Sequence, residues 1–94
     1  MEASARRKVP GGKLLSVRLG LNGGRVTSAE LSGDFFLYPE ESIAAMESML
    51  IGVQRSIGES ELASMIAEGM QRGGITAVGF TCRDLASVVR EALG

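Results

Sequence analysis

Apolar and polar side chains alternate near the start of the chain in the pattern of a half-buried β-strand. From Leu15 to Leu21 every second residue is leucine or valine, and the residues between them are serine, arginine and glycine. A period of two places the apolar side chains on one face of a strand. The pattern therefore predicts a strand with one face in the core.

A tight turn and a returning strand follow. Asn22-Gly23-Gly24 is typical of a two-residue hairpin turn, because both residue types tolerate positive φ. The returning strand covers residues 26–33. Because Val26 is out of phase with Leu31, we expect a β-bulge near Thr27-Ser28.

The rest of the chain predicts three helices and one short apolar segment. Apolar residues recur at helical spacing in residues 39–53, 56–71 and 81–93. The second and third helices each open with a capping box, in which Ser or Thr precedes an acid by three residues. Residues 75–80 are apolar enough for a third strand or an ordered loop.

This order of elements, β-β-α-α-(β)-α, is that of an α+β domain. A small antiparallel sheet, formed by the hairpin and a possible third strand, packs against three helices. Residues 1–8 lack periodicity and are predicted to form a flexible basic arm. Residues 9–94 form the single domain that this length allows.

Charge is segregated along the chain, although the formal net charge is only −1. Residues 1–25 carry a net charge of +5, and residues 26–94 carry −6. A basic segment on an acidic body suggests an anionic partner or ligand near the N-terminal part. The alternative is a solvated terminus without a partner.

Composition excludes several classes of function. The chain has no histidine to act as a general base near neutral pH. Its one cysteine, Cys82, allows neither an internal disulfide nor a cysteine-cluster metal site. The apolar runs are too short to span a membrane, and residues 1–13 lack the apolar segment of a signal peptide. We therefore expect a cytoplasmic protein.

A basic glycine turn is the first candidate site. Lys8 and Lys13 flank Gly11-Gly12, but the stretch does not match a phosphate-binding loop and does not lead into a helix. Nucleotide binding by this chain alone is therefore not expected. The two lysines can instead project into an anionic site on a neighbouring subunit.

The exit from the hairpin is the second candidate site. It reads Gly33-Asp34-Phe35-Phe36. Asp34 is expected to hydrogen-bond the backbone where the chain turns. On extended backbone the adjacent phenylalanines point to opposite sides, so one reaches the core and the other is exposed or contacts a partner. A kinked chain that buries both is the alternative.

Three features together resemble a known family. They are Lys8-Val9-Pro10-Gly11-Gly12-Lys13-Leu14, the hairpin after it, and Gly33-Asp34-Phe35-Phe36 before an acidic helix. This combination is similar to the C-terminal accessory domain of lipoate–protein ligases, over residues 8–93. Because the domain here is a chain of its own, we expect the split form found in archaea.

The resemblance implies an accessory subunit in a heterodimer. The large catalytic subunit would bind lipoate, ATP and Mg²⁺, make lipoyl-AMP, and lipoylate a lysine of a 2-oxoacid dehydrogenase or of the glycine-cleavage H protein. The accessory part would serve chiefly the activation step, with no catalytic residue, cofactor, nucleic acid or membrane of its own. Lys8, Gly11, Gly12 and Lys13 would face the large subunit's active site, and residues 33–36 would be a docking or hinge segment.

Three other classes remain as alternatives. An iron–sulfur scaffold of related fold would need several thiolates, and the chain has one. A nucleic-acid-binding module would be expected to interleave aromatic and basic residues, which this chain does not. An unrelated protein-interaction module is also compatible with the sequence.

Overall fold

Two antiparallel sheets and three helices make up the computed structural model, which describes residues 1–11 and 13–94. The candidate residue Gly12 lies outside the described residues. The strands are β1 (Glu2–Lys8), β2 (Leu14–Asn22), β3 (Arg25–Gly33), β4 (Phe36–Tyr38) and β5 (Thr76–Val78). The three helices are α1 (Ile43–Met49), α2 (Glu59–Gly73) and α3 (Cys82–Leu93), and a 3₁₀ turn (Glu40–Ser42) precedes α1.

The predicted α+β class is confirmed, but the sheet has a different order and size. β1, β2 and β3 form a sheet in that order, and β4 pairs with β5 in a separate two-stranded ribbon. The segment at residues 75–80 does contain a strand, yet its partner is β4 rather than the hairpin. The observed order is therefore β-β-β-β-α-α-β-α.

The predicted flexible arm at residues 1–8 is wrong, because β1 pairs with β2 from Glu2 opposite Gly20 to Lys8 opposite Leu14. The inward side chains of β1 are small or charged, so the alternation of this strand is weak in the sequence. Arg7 donates to the Ser87 hydroxyl of α3 at 2.7 Å and forms an ion pair with Glu91. Contacts with the last helix of the chain thus hold its first strand.

The hairpin and its bulge are confirmed. Gly20 lies opposite Ser28 and Leu21 lies opposite Val26, so Thr27 is the extra residue of the bulge. The bulge moves Val26 onto the buried face with Leu31.

The first predicted helix is shorter than expected. α1 ends at Met49, and the chain then turns toward the edge of the sheet. The Gly52 amide donates to the Val26 carbonyl, and the Val26 amide donates to the Val53 carbonyl. These bonds to β3 replace the last helical turn that the apolar spacing predicted.

The predicted ends of the other two helices are confirmed in part. The predicted cap at Ser56 is wrong, because α2 begins after Gly58 without a side-chain cap. Gly74 ends this helix in the left-handed conformation, as the glycine pair predicted. The capping box of α3 is confirmed, with Thr81 and Asp84 bonded to each other's backbone.

Helix α3 is at the centre of the core. It packs against β1 and β2 on one side and against α2 on the other. Six of its twelve residues are buried: Leu85, Ala86, Val88, Val89, Ala92 and Leu93. The opposite face of the three-stranded sheet is polar, with Arg18 and Glu30 paired across the strands at 3.7 Å. The helices therefore cover one face of the sheet only.

A close backbone approach at Gly33 yields the first prediction. Gly33 has φ 147°, and a Cβ there would lie 2.1 Å from the Leu14 carbonyl oxygen. We expect Gly33→Ala to lower the free energy of unfolding by about 3 kcal/mol or more. At Gly24, with φ 77° and no atom within 4 Å of the position that a Cβ would take, alanine costs about 1 kcal/mol. Urea unfolding followed by circular dichroism measures both, and equal losses would contradict the close contact.

Candidate functional site

Three loops meet where the three-stranded sheet ends. They are the β1–β2 turn, the β3–β4 junction and the β5–α3 junction, and together they form what we call the loop corner. Two open depressions mark it. The Asp34 depression, of about 480 Å³, is lined by Gly11, Lys13, Gly33, Asp34, Phe35 and Phe36. The Asp84 depression, of about 450 Å³, is lined by Pro10, Gly11, Lys13, Val78, Gly79, Phe80, Thr81 and Asp84.

The structure thus brings together the two candidate sites that the sequence predicts separately. Gly11 and Lys13 line both depressions, and residues 33–36 line the first. Lys8 is an exception. It ends β1 opposite Leu14 and lines neither depression.

Two glycines let the loop corner close. The Asp34 amide donates to the Leu14 carbonyl at 2.9 Å, which holds the β3–β4 junction against the start of β2. Gly79 has φ 117°, and a Cβ there would lie 3.0 Å from both the backbone carbonyl oxygen of Asp34 and the Phe35 Cβ. Side chains at positions 33 and 79 would therefore force these segments apart.

The backbone of Lys13 is bonded to that of a buried residue. The Val9 amide donates to the Lys13 carbonyl at 2.8 Å, and Val9 is buried. The Lys13 side chain is exposed. The turn therefore anchors the backbone in the core and leaves the ammonium group at the surface.

The two carboxylates of the loop corner have different roles. Asp84 accepts from the Thr81 amide at 2.8 Å, so its carboxylate caps α3. The Asp34 hydrogen bond to the backbone is made by its amide rather than by its carboxylate, and the residue is exposed. In the described part of the chain, the ion pairs are Arg7–Glu91, Arg18–Glu30 and Arg83–Glu59, so neither lysine is neutralised by one.

The two adjacent phenylalanines point to opposite sides, as the extended backbone predicts. Phe35 packs edge-to-face on Phe80, with ring centroids 5.1 Å apart. Phe36 is 65% exposed. The alternative in which both are buried is therefore excluded.

Sequence reasoning missed two exposed apolar residues beside Phe36. Tyr38 is 54% exposed and Val78 is 51% exposed. Phe36 lies opposite Val78 in the ribbon, and Tyr38 follows two residues later on the same face. We call these three residues the ribbon stripe. The alternation of Phe36 and Tyr38 is a sequence signal for it, but the pairing partner β5 lies beyond two helices in the chain.

The loop corner presents charged and aromatic side chains at the surface. Within residues 1–11 and 13–94, no group of three or more His, Cys, Asp or Glu side chains is arranged to hold a metal ion. Cys82 is half-buried, with its sulfur 3.6 Å from that of Met70. The exposed charged and aromatic groups of the loop corner are the Lys13 ammonium, the Asp34 carboxylate and the Phe36 ring. No helix in the described chain is long and apolar enough to cross a membrane.

Comparisons with known proteins point in one direction. No protein-family model matches the sequence. Lipoate-protein ligase A subunit 2 of Thermoplasma acidophilum is 49% identical over 39 residues, which span 42% of this chain and 42% of that relative. The aligned part is thus less than half of the relative's length.

A solved structure extends the similarity to the whole fold. It is that of an archaeal lipoylation system from Thermoplasma acidophilum, a bipartite lipoate protein ligase and its E2 lipoyl domain. One of its chains is 30% identical to this protein with a TM-score of 0.77, and the match covers 96% of each chain.

The different surroundings of the two phenylalanines yield a second prediction. Phe35→Ala removes the ring that packs on Phe80 and is expected to lower the free energy of unfolding by about 2–3 kcal/mol. Phe36→Ala trims an exposed ring and serves as the matched control, with a change within about 0.5 kcal/mol. Urea titrations of both variants measure the difference. A larger loss for Phe36→Ala would contradict the assignment of the two rings.

Proposed function

Because the chain belongs to the family of the second subunit of bipartite lipoate–protein ligases, we propose that it is the accessory, non-catalytic subunit of such an enzyme. It acts with a large catalytic subunit, as a heterodimer in the cytoplasm. The large subunit supplies the sites for lipoate, ATP and Mg²⁺. The observation that carries the proposal is the agreement in fold over 96% of both chains at 30% identity.

The proposed reaction has two steps. The lipoate carboxylate attacks the α-phosphorus of ATP, and pyrophosphate leaves, which gives lipoyl-AMP. A lysine amine of the acceptor domain then attacks the acyl carbon, and AMP leaves. The acceptor is a lipoyl domain of a 2-oxoacid dehydrogenase or the glycine-cleavage H protein.

The small subunit is proposed to serve the first step through the loop corner. Lys13 is exposed next to the open backbone of Gly11 and lines both depressions. Near the large subunit's active site, its ammonium group would offset part of the negative charge of the triphosphate or order a loop over it. Phosphate charge is largest before pyrophosphate leaves, so such a contact favours activation over transfer.

The third prediction tests the requirement for the subunit. With lipoate and the large subunit, ATP–pyrophosphate exchange should rise strongly when this chain is added, because activation needs both subunits. The chain alone should give no exchange. An unrelated protein of about the same mass, added at the same concentration, is the control. Turnover by this chain alone, or the same rate without it, would overturn the proposal.

The fourth prediction tests Lys13. Lys13→Glu should slow lipoyl-AMP formation by roughly tenfold, the size expected for one lost charge-assisted contact. Transfer from preformed lipoyl-AMP should change by less than about twofold. Single-turnover assays of the two half-reactions with the heterodimer measure both rates.

Two charge reversals serve as its controls. Lys8→Glu should act in the same direction but less, because Lys8 lies outside both depressions. Arg72→Glu, in the last turn of α2, should change neither rate. Equal loss in both half-reactions would show that Lys13 stabilises the complex rather than serving activation.

A further inference from the structure

The ribbon stripe is an apolar surface without a partner in this chain. Phe36, Tyr38 and Val78 are three of the five exposed large apolar residues in the part of the chain that the structure describes. They lie together on one face of a two-stranded ribbon. A contiguous exposed group of this kind marks an interaction surface more often than scattered single residues do.

The ribbon holds the stripe in a fixed position. On the opposite face, Leu37 is 6% exposed. Phe35, on the same face, packs on Phe80, which lies between β5 and α3. The stripe is therefore ordered before any partner binds. A preformed surface loses little conformational entropy on binding, which favours affinity.

The surface around Phe36 has relief as well as apolar character. The ring lies between the Asp34 depression and a third depression of about 390 Å³, which is lined by Phe35, Phe36, Leu37, Glu40 and Ile43. Phe36 is thus an exposed ring that lines two neighbouring depressions. Aromatic side chains that fill pockets at the centre of an interface are the usual energetic hot spots.

The size of the ribbon stripe decides between a second copy of the chain and a larger partner. The three exposed side chains offer about 300 Å², given accessible areas of about 150–250 Å² for a whole aromatic side chain. Two copies joined stripe to stripe would bury about 600 Å² in total, below the roughly 1,200 Å² of a stable complex. A partner that also covers the adjoining loop corner can reach that area.

We propose that the ribbon stripe docks into an apolar groove of the large catalytic subunit and that Phe36 is the anchor of this contact. The inference rests on the proposed function, which supplies the partner. The stripe is continuous with the loop corner, since Phe36 belongs to the stripe and lines the Asp34 depression. Docking through the stripe therefore places Lys13 at the same interface.

The fifth prediction tests this docking by calorimetric titration of the large subunit with the full chain. Phe36→Ala and Tyr38→Ala should each raise the dissociation constant by roughly tenfold or more. The double variant should raise it by roughly a hundredfold. At saturating concentration, Tyr38→Ala should restore lipoyl-AMP formation, because Tyr38 lines neither depression of the loop corner and contributes to binding alone.

Ile51→Ala is the matched control. Ile51 is 48% exposed, and the adjacent Gly52 bonds to Val26 at the start of β3. Ile51 therefore lies roughly 20 Å from the ribbon, at the other end of β3. The dissociation constant of the Ile51→Ala variant should stay within about twofold of that of the unchanged chain. Circular dichroism melting checks that all variants fold alike.

The outcomes separate this inference from the proposed function. If the unchanged chain binds and activates the large subunit but the stripe variants bind equally well, the docking surface is elsewhere and the accessory role stands. If the unchanged chain neither binds nor activates, both fail. If light scattering shows a dimer of this chain that the stripe variants dissociate, the stripe joins two copies and the inference is overturned.

Discussion

The backbone of Gly33 lies against the carbonyl of Leu14 in a space that no side chain can share. A Cβ at this position would lie 2.1 Å from the Leu14 oxygen, and the next amide, that of Asp34, donates to the same oxygen. This contact ends the three-stranded sheet and fixes the direction in which the chain leaves it. Phe35 consequently packs on Phe80 and Phe36 faces solvent, so the position of the loop corner depends on Gly33 together with Gly79.

The elements that the sequence predicts correctly are held by local interactions. The hairpin turn, the bulge at Thr27 and the capping box of α3 each involve residues close in the chain. Apolar periodicity is strong in β2 and α3 because one strand face and most of one helix are buried. Apolar periodicity of this kind is visible in a sequence because the buried residues of one strand or helix recur at the regular spacing of that element.

The errors lie where distant residues decide the structure. β1 has small or charged inward residues, and Arg7 is held by Glu91 of the last helix. β4 is a three-residue strand whose partner is β5. Periodicity cannot reveal a pairing that depends on a partner so far away in the chain. The same limit applies to the loop corner: the sequence predicted its two candidate segments, but not their meeting with the β5–α3 junction, which needs Gly79.

The fold also changes the meaning of the basic N-terminal segment. Three of its six basic side chains bond within the chain: Arg7 pairs with Glu91, Arg18 with Glu30, and Arg25 donates to the Gly52 carbonyl. Arg6 and Lys8 lie on the outer face of β1, and neither lines the Asp34 or the Asp84 depression. Lys13 differs from them because its backbone is fixed by Val9 while its side chain lies between two open depressions. Among the described basic residues, Lys13 alone lines the same depression as the exposed Phe36 ring, and a specific contact needs that local arrangement rather than the overall charge.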